Sequence, residues 1–407
     1  MTAPALDTEP ACPGSHEAPT RSPHLTGSAA AEHAAASRLR AQRRAFADIP
    51  PATWDALAAC TPWSTPFSAW AFHAAWWDGY GDNAHEETLV ILPTDPAEGV
   101  DPVAIVPLMH RHEREPSDAQ THTRLRGDPH VAATPVPPSA KAVFFGASYH
   151  ADYATILAAP ADLPDVAAAL VDYWAGPDCG DWDVLDLRRL RCGDPAAEAL
   201  AAALGAREME QGWTLNVERE DVCPVAILPV GADMDAYLAT LGKKERHEIR
   251  RKVRRAEASG PIELVDAADP LAELDVFIDL HQRRWGADGL FPPTLGGDQS
   301  RVFIRRMFEL FGADGPLRLT FLSVGDRRVA AGVHFQTDDG ILYYNAGVDP
   351  DARDLSPGVV MVYAYVQRAL AAGLRRMDFL RGDEPYKYEW GSVDEPIQRL
   401  LVRRRVS

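Results

Sequence analysis

One order of secondary-structure elements occurs twice along this chain of 407 residues, and this repetition constrains the fold more than any other feature. Each half is predicted to contain a strand hairpin, a third strand, a loop, a helix that ends at glycine and a further strand. Side-by-side residue identity between the halves is slight, so the repeat is one of structure. The sequence therefore predicts an internal duplication of one unit of strands and helices, with an α/β (α+β) fold.

The boundaries of the two units follow from changes in composition. Residues 1–45 are rich in Pro, Ala, Ser and Thr, and we expect them to form a disordered N-terminal tail. At the end of this tail, residues 29–47 have the composition of a helix of modest amphipathicity. The first folded unit is then predicted over 46–222 and the second over 223–407.

The loops that precede the two equivalent helices differ in charge. The first half has Asp162 and Asp165 at the helix start, whereas the second half has Ala-Arg-Asp-Leu-Ser-Pro-Gly over 352–358. A helix N-terminus presents unpaired N–H groups and a partial positive charge, which favour a phosphate group. The second loop therefore predicts a donor-binding site, and the alternative is a well-capped helix without a ligand. Its candidate residues are Arg353, Ser356, Pro357 and Gly358.

A second candidate segment follows the predicted strand at 375–380. Asp378 lies on this strand, and the chain then carries Glu384, Tyr386 and Lys387 within a short polar loop. Active-site groups of α/β proteins commonly lie where a strand ends in a loop. These side chains offer a general base, a proton donor and a cation, and we expect them to be catalytic. The alternative is a charged surface turn.

A basic helix contrasts with the acidic composition of the whole chain. Residues 243–255 contain eight Lys or Arg and two Glu, although the chain has a formal net charge of −18. That charge argues against general affinity for DNA or anionic membranes. From the residues alone, we expect these cations to form a solvated face that interacts with the acidic body of the protein.

Several classes of protein lack support in the sequence. The five cysteines are scattered singly and indicate no zinc site, so we expect no metal cofactor. No apolar run approaches the roughly 20 residues of a membrane span, and the first residues lack the pattern of a secretory signal. We therefore expect a cytoplasmic protein. The motifs of serine hydrolases, P-loop NTPases and zinc proteases are also missing.

The ordered set of these motifs resembles a known superfamily. The segments GKKERHEIRRKVRRAEASG, LHQRRW, YYNAGVDPDARDLSPG and MDFLRGDEPYKYEWG, taken in order, are similar to the CelD/BcsL-like branch of the GNAT acyltransferases. They are similar, more distantly, to the Fem peptidyltransferases. The likeness runs from about Trp54 to the C-terminus. It implies tandem GNAT-like domains, each with a mixed, mostly antiparallel sheet flanked by helices. It also implies that the basic helix lies beside the acceptor cleft, so that Lys244, Arg246 and Arg250, with Trp285 on the next helix, contact an anionic acceptor.

This resemblance also implies an activity. It implies N-acyl transfer from acetyl-CoA or another acyl-CoA to an amine, with an amino sugar or an envelope or polysaccharide precursor as acceptor. GNAT enzymes hold the pyrophosphate of CoA in a Q/R-x-x-G-x-G/A loop, and 353–358 keeps the Arg and the final Gly without the middle Gly. An aminoacyl-tRNA donor, as in Fem enzymes, is a less favoured alternative. A third alternative is a non-catalytic module that regulates exopolysaccharide production.

Overall fold

The computed structural model describes residues 38–95, 99–111, 134, 136–137, 139–148 and 150–404. These residues form fifteen strands and ten α-helices. The first half contains β1 (Leu39–Arg43), α1 (Pro51–Cys60), α2 (Trp70–Tyr80), β2 (Ala84–Glu86), β3 (Leu89–Pro93), β4 (Ala104–Val106), β5 (Leu108–Arg111), β6 (Ala142–Phe145), β7 (Leu157–Ala158), α3 (Leu163–Ala175), β8 (Val184–Arg191), α4 (Pro195–Gln211) and β9 (Trp213–Ile227). The second half contains α5 (Met234–Thr240), α6 (Lys243–Glu257), β10 (Ile262–Asp266), α7 (Pro270–Trp285), α8 (Leu295–Phe311), β11 (Leu317–Val324), β12 (Arg327–Gln336), β13 (Gly340–Val348), α9 (Pro357–Ala371), β14 (Arg376–Asp378), α10 (Pro385–Tyr388) and β15 (Val393–Arg404).

One large sheet runs through both halves of the molecule. Its eleven strands lie in the order β10-β11-β12-β13-β14-β9-β15-β8-β6-β5-β2, and a smaller sheet has the order β1-β3-β4-β7. Most neighbouring strands are antiparallel, and helices cover both faces of the large sheet. The predicted fold class, a mixed and mostly antiparallel sheet flanked by helices, is confirmed.

The two exceptional parallel pairs in the large sheet occupy equivalent places in the two halves. In the first half β6 runs parallel to β8, and helix α3 connects them. In the second half β13 runs parallel to β14, and helix α9 connects them. Each pair has three residues in register, and each third partner on the second strand is an aspartate, Asp186 or Asp378. The repeated order of elements in the sequence thus corresponds to a repeated topology.

The two halves meet along shared strands. Strand β9 pairs with β15 along most of its length and with β14 over its last three residues. The C-terminal strand β15 lies beside β8 of the first half. The boundary between 222 and 223 falls inside β9, so the two predicted units exchange strands and are not joined by a separate linker.

Two segments differ from the sequence-based predictions. Of the helix predicted over 29–47, residues 29–37 lie outside the described part, and Leu39–Arg43 form strand β1 instead. Leu39 and Ala41 pack against the core, so this segment has the period-two pattern of a strand. The strand predicted around 102–111 divides into β4 and β5 at Pro107, because proline has no N–H to continue a strand ladder.

The helices that pack on the second-half strands divide between the two faces of the sheet. Apolar residues of α5, α6 and α9 pack on one face, which also contains Ile341, Met377 and Phe379. Apolar residues of α2, α7 and α8 pack on the opposite face, which contains Leu342 and Leu380. Successive residues of one strand point to opposite faces, so β14 exposes different side chains to the two helical layers.

Candidate functional site

An opening between two parallel strands forms the centre of the candidate site. Strand β13 pairs with β14 at Gly340–Arg376, Ile341–Met377 and Leu342–Asp378, and the register ends there. β13 continues to Val348, so the two strands separate at their C-terminal ends. Such a gap at the carboxyl edge of parallel strands is a common location for a ligand.

The start of α9 lies at the end of the loop that follows β13. Ser356, just before Pro357, has a left-handed backbone with φ 52° and ψ 53° and makes no side-chain capping bond. Its hydroxyl accepts a hydrogen bond from Arg255 of α6 at 2.6 Å. Arg353 is exposed and makes no ion pair or hydrogen bond through its side chain within the described ranges. A Cβ at Gly358 would meet nothing within 4 Å, so the surface here is open. Two guanidinium groups and an open helix start suit a phosphate.

Asp378 is the most perturbed carboxyl group at the opening. It is 2% exposed and lies at the last paired position of β14. Its Oδ1 accepts the N–H of Leu380 at 2.8 Å, and its Oδ2 accepts the hydroxyl of Tyr153 at 2.8 Å. Burial raises the pKa of Asp378 to about 6, although Arg376 and these two donors oppose the rise. A carboxylate with such a pKa can accept a proton near neutral pH.

Lys387 stabilises the loop that follows β14. Its ammonium group donates to the carbonyl oxygens of Leu380, Arg381 and Gly382 at 2.9, 2.8 and 3.0 Å, and it pairs with Glu384 at 2.9 Å. Leu380 has a left-handed φ of 56°, which an L-residue adopts only when its surroundings hold it there. All three protons of Lys387 have acceptors in this loop, so the geometry supports a role in shaping it, and the expected catalytic role of Lys387 stays a prediction.

Tyr386 and Glu384 lie on the other side of β14 from Asp378. The ring of Tyr386 packs edge-on against Phe379 with centroids 6.2 Å apart, on the face covered by α9. Burial, together with the nearby charge of Glu384, raises the pKa of Tyr386 well above its ordinary value. Tyr386 therefore stays protonated at neutral pH and can donate a proton. The side chain of Glu384 is largely exposed and is paired with Lys387.

The first half contributes residues to this site that sequence reasoning missed. Besides the contact of Tyr153 with Asp378, Asp152 accepts a bond from Arg381 at 3.1 Å. Tyr344 of β13 donates to the carbonyl of His150 at 3.2 Å. These residues belong to the polar run Ser-Tyr-His-Ala-Asp-Tyr over 148–153. Its position directly after strand β6 was the available signal.

The predicted acceptor-binding residues do not form one cluster. Arg250 is paired with Asp235 at 2.7 Å, Arg246 donates to a backbone carbonyl of α5, and Lys244 is exposed. Trp285 is 47% exposed at the end of α7, with the Arg284 guanidinium 5.0 Å above its ring. Because α6 and α7 pack on opposite faces of the sheet, Trp285 does not join the basic side chains of α6 in one cleft.

A groove of about 540 Å³ lies beside the basic helix. It is bordered by α5, α6 and Tyr363 of α9. Four of its lining residues are Lys or Arg and two are acidic, so it carries a net positive charge in an acidic protein. Its lining residues include Lys243, Arg246, Arg250, Arg254, Asp235 and Glu257.

Residues 38–95, 99–111, 134, 136–137, 139–148 and 150–404 contain neither a metal-ligand cluster nor a helix suited to a membrane span. Within those ranges, the structure has no group of three or more His, Cys, Asp or Glu side chains arranged to hold a metal ion. In the same ranges, each helix is too short or too polar to cross a bilayer.

The second half matches a family of known enzymes. Residues 243–388, just over a third of the chain, match the family described as acetyltransferase (GNAT) domain. This stretch includes the basic helix, the opening between β13 and β14, and the loop held by Lys387. This part of the chain is therefore similar to GNAT acetyltransferases. No curated protein has a sequence that matches the chain.

Solved structures resemble the chain over both halves. FemX is 10% identical with a TM-score of 0.53, and the likeness covers 86% of this chain and 96% of FemX. A conserved protein of unknown function from Bacteroides thetaiotaomicron VPI-5482 is 13% identical with a TM-score of 0.50, over 88% of this chain and 98% of that protein. A tandem GNAT protein from the clavulanic acid pathway is 12% identical with a TM-score of 0.44, over 91% of this chain and 99% of that protein. At these identities, the likeness to FemX and the Bacteroides protein shows a shared fold and nothing further.

Proposed function

We propose that the protein is an N-acyltransferase that uses an acyl-CoA, with its site at the opening between β13 and β14. One observation carries the proposal. The opening has a helix start suited to phosphate on the α9 face, whereas Asp378, with its pKa raised to about 6, lies on the other face. A donor and an amine acceptor could thus approach the gap from opposite sides. The match of 243–388 to GNAT acetyltransferases supports the same reaction.

The residues at the start of α9 would hold the phosphate groups of the donor. Arg353 has no competing partner in the described ranges, and Arg255 already reaches Ser356. The open surface at Gly358 leaves room for close approach. These features fit a pyrophosphate, and the CoA thioester would supply the activated acyl carbon.

Two side chains would move protons. Asp378 takes a proton from the acceptor ammonium group, so that the free amine can attack the thioester carbon. As the C–N bond forms and the C–S bond breaks, Tyr386 donates its hydroxyl proton to the leaving sulfur. Because its pKa is raised, Tyr386 is protonated at neutral pH, so its proton is available to the thiolate that leaves. Lys387 holds the loop that follows β14.

The acceptor and the location of the protein extend this proposal. The resemblance to the CelD/BcsL-like branch favours an amino sugar or an envelope or polysaccharide precursor, in the cytoplasm. An anionic acceptor would suit Arg246 and Arg250, since both line the positively charged groove beside α6. Lys244 and Trp285 do not line this groove, and their contact with an acceptor stays a prediction.

A second candidate is transfer from an aminoacyl-tRNA. The basic groove of about 540 Å³ favours it, because a nucleic-acid backbone is attracted to clustered Lys and Arg. The fold it shares with FemX is compatible with either donor. The net charge of −18 opposes it outside this groove.

The test is a donor and acceptor panel with product identification. The purified protein is incubated with acetyl-CoA or longer acyl-CoAs and a set of amino sugars and amines, and free thiol and acylated product are measured. Parallel reactions replace the acyl-CoA with aminoacyl-tRNA. Release of thiol together with an N-acylated product supports the proposal. If only aminoacyl-tRNA is consumed, the second candidate replaces it, and if no donor is consumed or stabilises the protein against heat, a non-catalytic binding role replaces both.

A further inference from the structure

A side chain of the first half reaches the candidate base of the second half. Tyr153 is 3% exposed, and its hydroxyl donates to Asp378 at 2.8 Å although the two residues are 225 positions apart. Its ring packs against Phe67 with centroids 6.2 Å apart, and the Arg191 guanidinium lies 4.8 Å from its centre. These two contacts hold the ring in place, with its hydroxyl directed at Asp378 and close to the thiol of Cys223.

Neighbouring contacts fix the segment that carries Tyr153. Asp152 pairs with Arg381 just beyond β14, and the carbonyl of His150 accepts the hydroxyl of Tyr344 on β13. The segment is thus attached to both strands that border the opening. A movement of the first half relative to the second would displace the Tyr153 hydroxyl from the carboxylate.

We propose that Tyr153 is a positioning residue of the acyl-transfer site, which orients Asp378 and stabilises its ionised form. The proposal rests on the proposed function, because it assigns Tyr153 a role through Asp378. It also explains why the second half is joined to a first half that has no equivalent anion-binding helix start: the first half completes the base. The second half alone would lack one of the two donors to this carboxylate.

The other groups around Asp378 are accounted for. Arg376 on β14 lies 3.6 Å from its Oδ2 and favours the ionised form, whereas Glu395 on β15 disfavours it. Cys223 on β9 is buried, and burial raises the pKa of its thiol well above the ordinary value, so it stays neutral. Burial also raises the pKa of Tyr153. Tyr153 is therefore a neutral donor throughout the working range, and its removal leaves Arg376, Glu395 and Cys223 in place.

The test compares Tyr153→Phe with the unchanged protein in two pH profiles. Loss of one hydrogen bond to a charged group shifts a pKa by about one unit. We expect the acidic limb of kcat/KM, near pH 6 in the unchanged protein, to move upward by about one unit. At a pH about two units above the limb, the variant should recover to within about threefold of the unchanged rate.

The second profile needs no substrate. The raised pKa of Asp378 means that the folded state binds a proton more tightly than the unfolded state, so stability falls as pH rises from about 4 to about 6. Tyr153→Phe should extend this fall by about one pH unit, measured by denaturant unfolding. In an Asp378→Asn background the same substitution should leave the profile unchanged. This double-variant comparison also serves if the single variant folds poorly.

Tyr173→Phe is the matched control. Tyr173 also lies in the first half and donates to a backbone carbonyl, that of Asp178, away from the opening. Tyr173→Phe should change neither the pH dependence of kcat/KM nor the pH dependence of stability. The inference is overturned if Tyr153→Phe behaves like Tyr173→Phe, or if it lowers the rate equally at every pH. If neither the unchanged protein nor the variants transfer acyl groups but the stability profile of Tyr153→Phe still shifts as expected, the contact of Tyr153 with Asp378 is supported and the proposed function is lost.

Discussion

The two halves of the molecule carry an aspartate at the same structural position, but the groups that bind its carboxylate differ. Asp186 and Asp378 are each the third partner in a parallel pair of strands joined by a helix, and both are almost fully buried. Asp186 is bound by the guanidinium groups of Arg188 and Arg399. Asp378 accepts only a tyrosine hydroxyl and one backbone N–H as close donors.

The surroundings give the two carboxyl groups different chemistry. Burial alone would raise the pKa of Asp186, but Arg188 and Arg399 hold it below its usual value. At Asp378 burial prevails and raises the pKa to about 6. One fold position therefore serves as a permanent ion pair in the first half and as a titratable group in the second. The comparison fits the proposed function, in which the carboxyl group of the first half stabilises the fold and that of the second half is the base.

The largest expected effect is on activity at Asp378. Asp378→Asn removes the proposed general base and should lower the acyl-transfer rate by about 10²–10⁴-fold. Stability at neutral pH should not fall, because the amide avoids the cost of ionising a buried carboxyl group. The measurements are kcat and denaturant unfolding of the same preparations. Asp275→Asn, at an exposed carboxylate of α7 that pairs with Arg305, is the comparison, and an equal loss of rate there would show that Asp378 is not the base.

The opposite result is expected at Asp186. Asp186→Asn leaves the buried guanidinium of Arg399 without its main counter-ion, and such a loss typically destabilises a protein by about 3 kcal/mol. Asp172→Asn breaks an exposed pair with Arg207 and should cost less than about 1 kcal/mol. Chemical denaturation measures both. Equal, small losses at the two positions would show that the Asp186 ion pair does not stabilise the first half.

The sequence predicted the repeated order of elements, and it placed candidate residues at the start of α9 and the end of β14, but it did not predict the contacts between the halves. Strand and helix periods located β13, α9 and β14, and the charge of the two loops distinguished their helix starts. The contact of Tyr153 with Asp378 depends on how the two halves join in the large sheet, which no local pattern encodes. The sequence does contain a matching signal, since Asp186-Leu-Arg-Arg and Asp378-Phe-Leu-Arg are similar in composition.

Lys387 illustrates a second limit. A lysine in a polar loop predicts a cation that binds a ligand. The ammonium group of Lys387 instead donates hydrogen bonds to three carbonyl groups of its own loop. Those carbonyls converge because Leu380 has a left-handed backbone, and a leucine gives no sequence signal for such a conformation.

The smallest effect concerns the helix starts, where the first half has acidic residues and the second has Gly358. Gly358→Asp gives α9 an acid like Asp165 of α3, and the added charge should repel the donor phosphates and raise KM for acyl-CoA about tenfold. Gly358→Ala should change KM less than about twofold, because its Cβ meets nothing within 4 Å. Steady-state kinetics at fixed acceptor concentration measure both. A tenfold rise that persists at high salt would agree with a direct contact, whereas identical behaviour of the two variants would move the donor site away from α9.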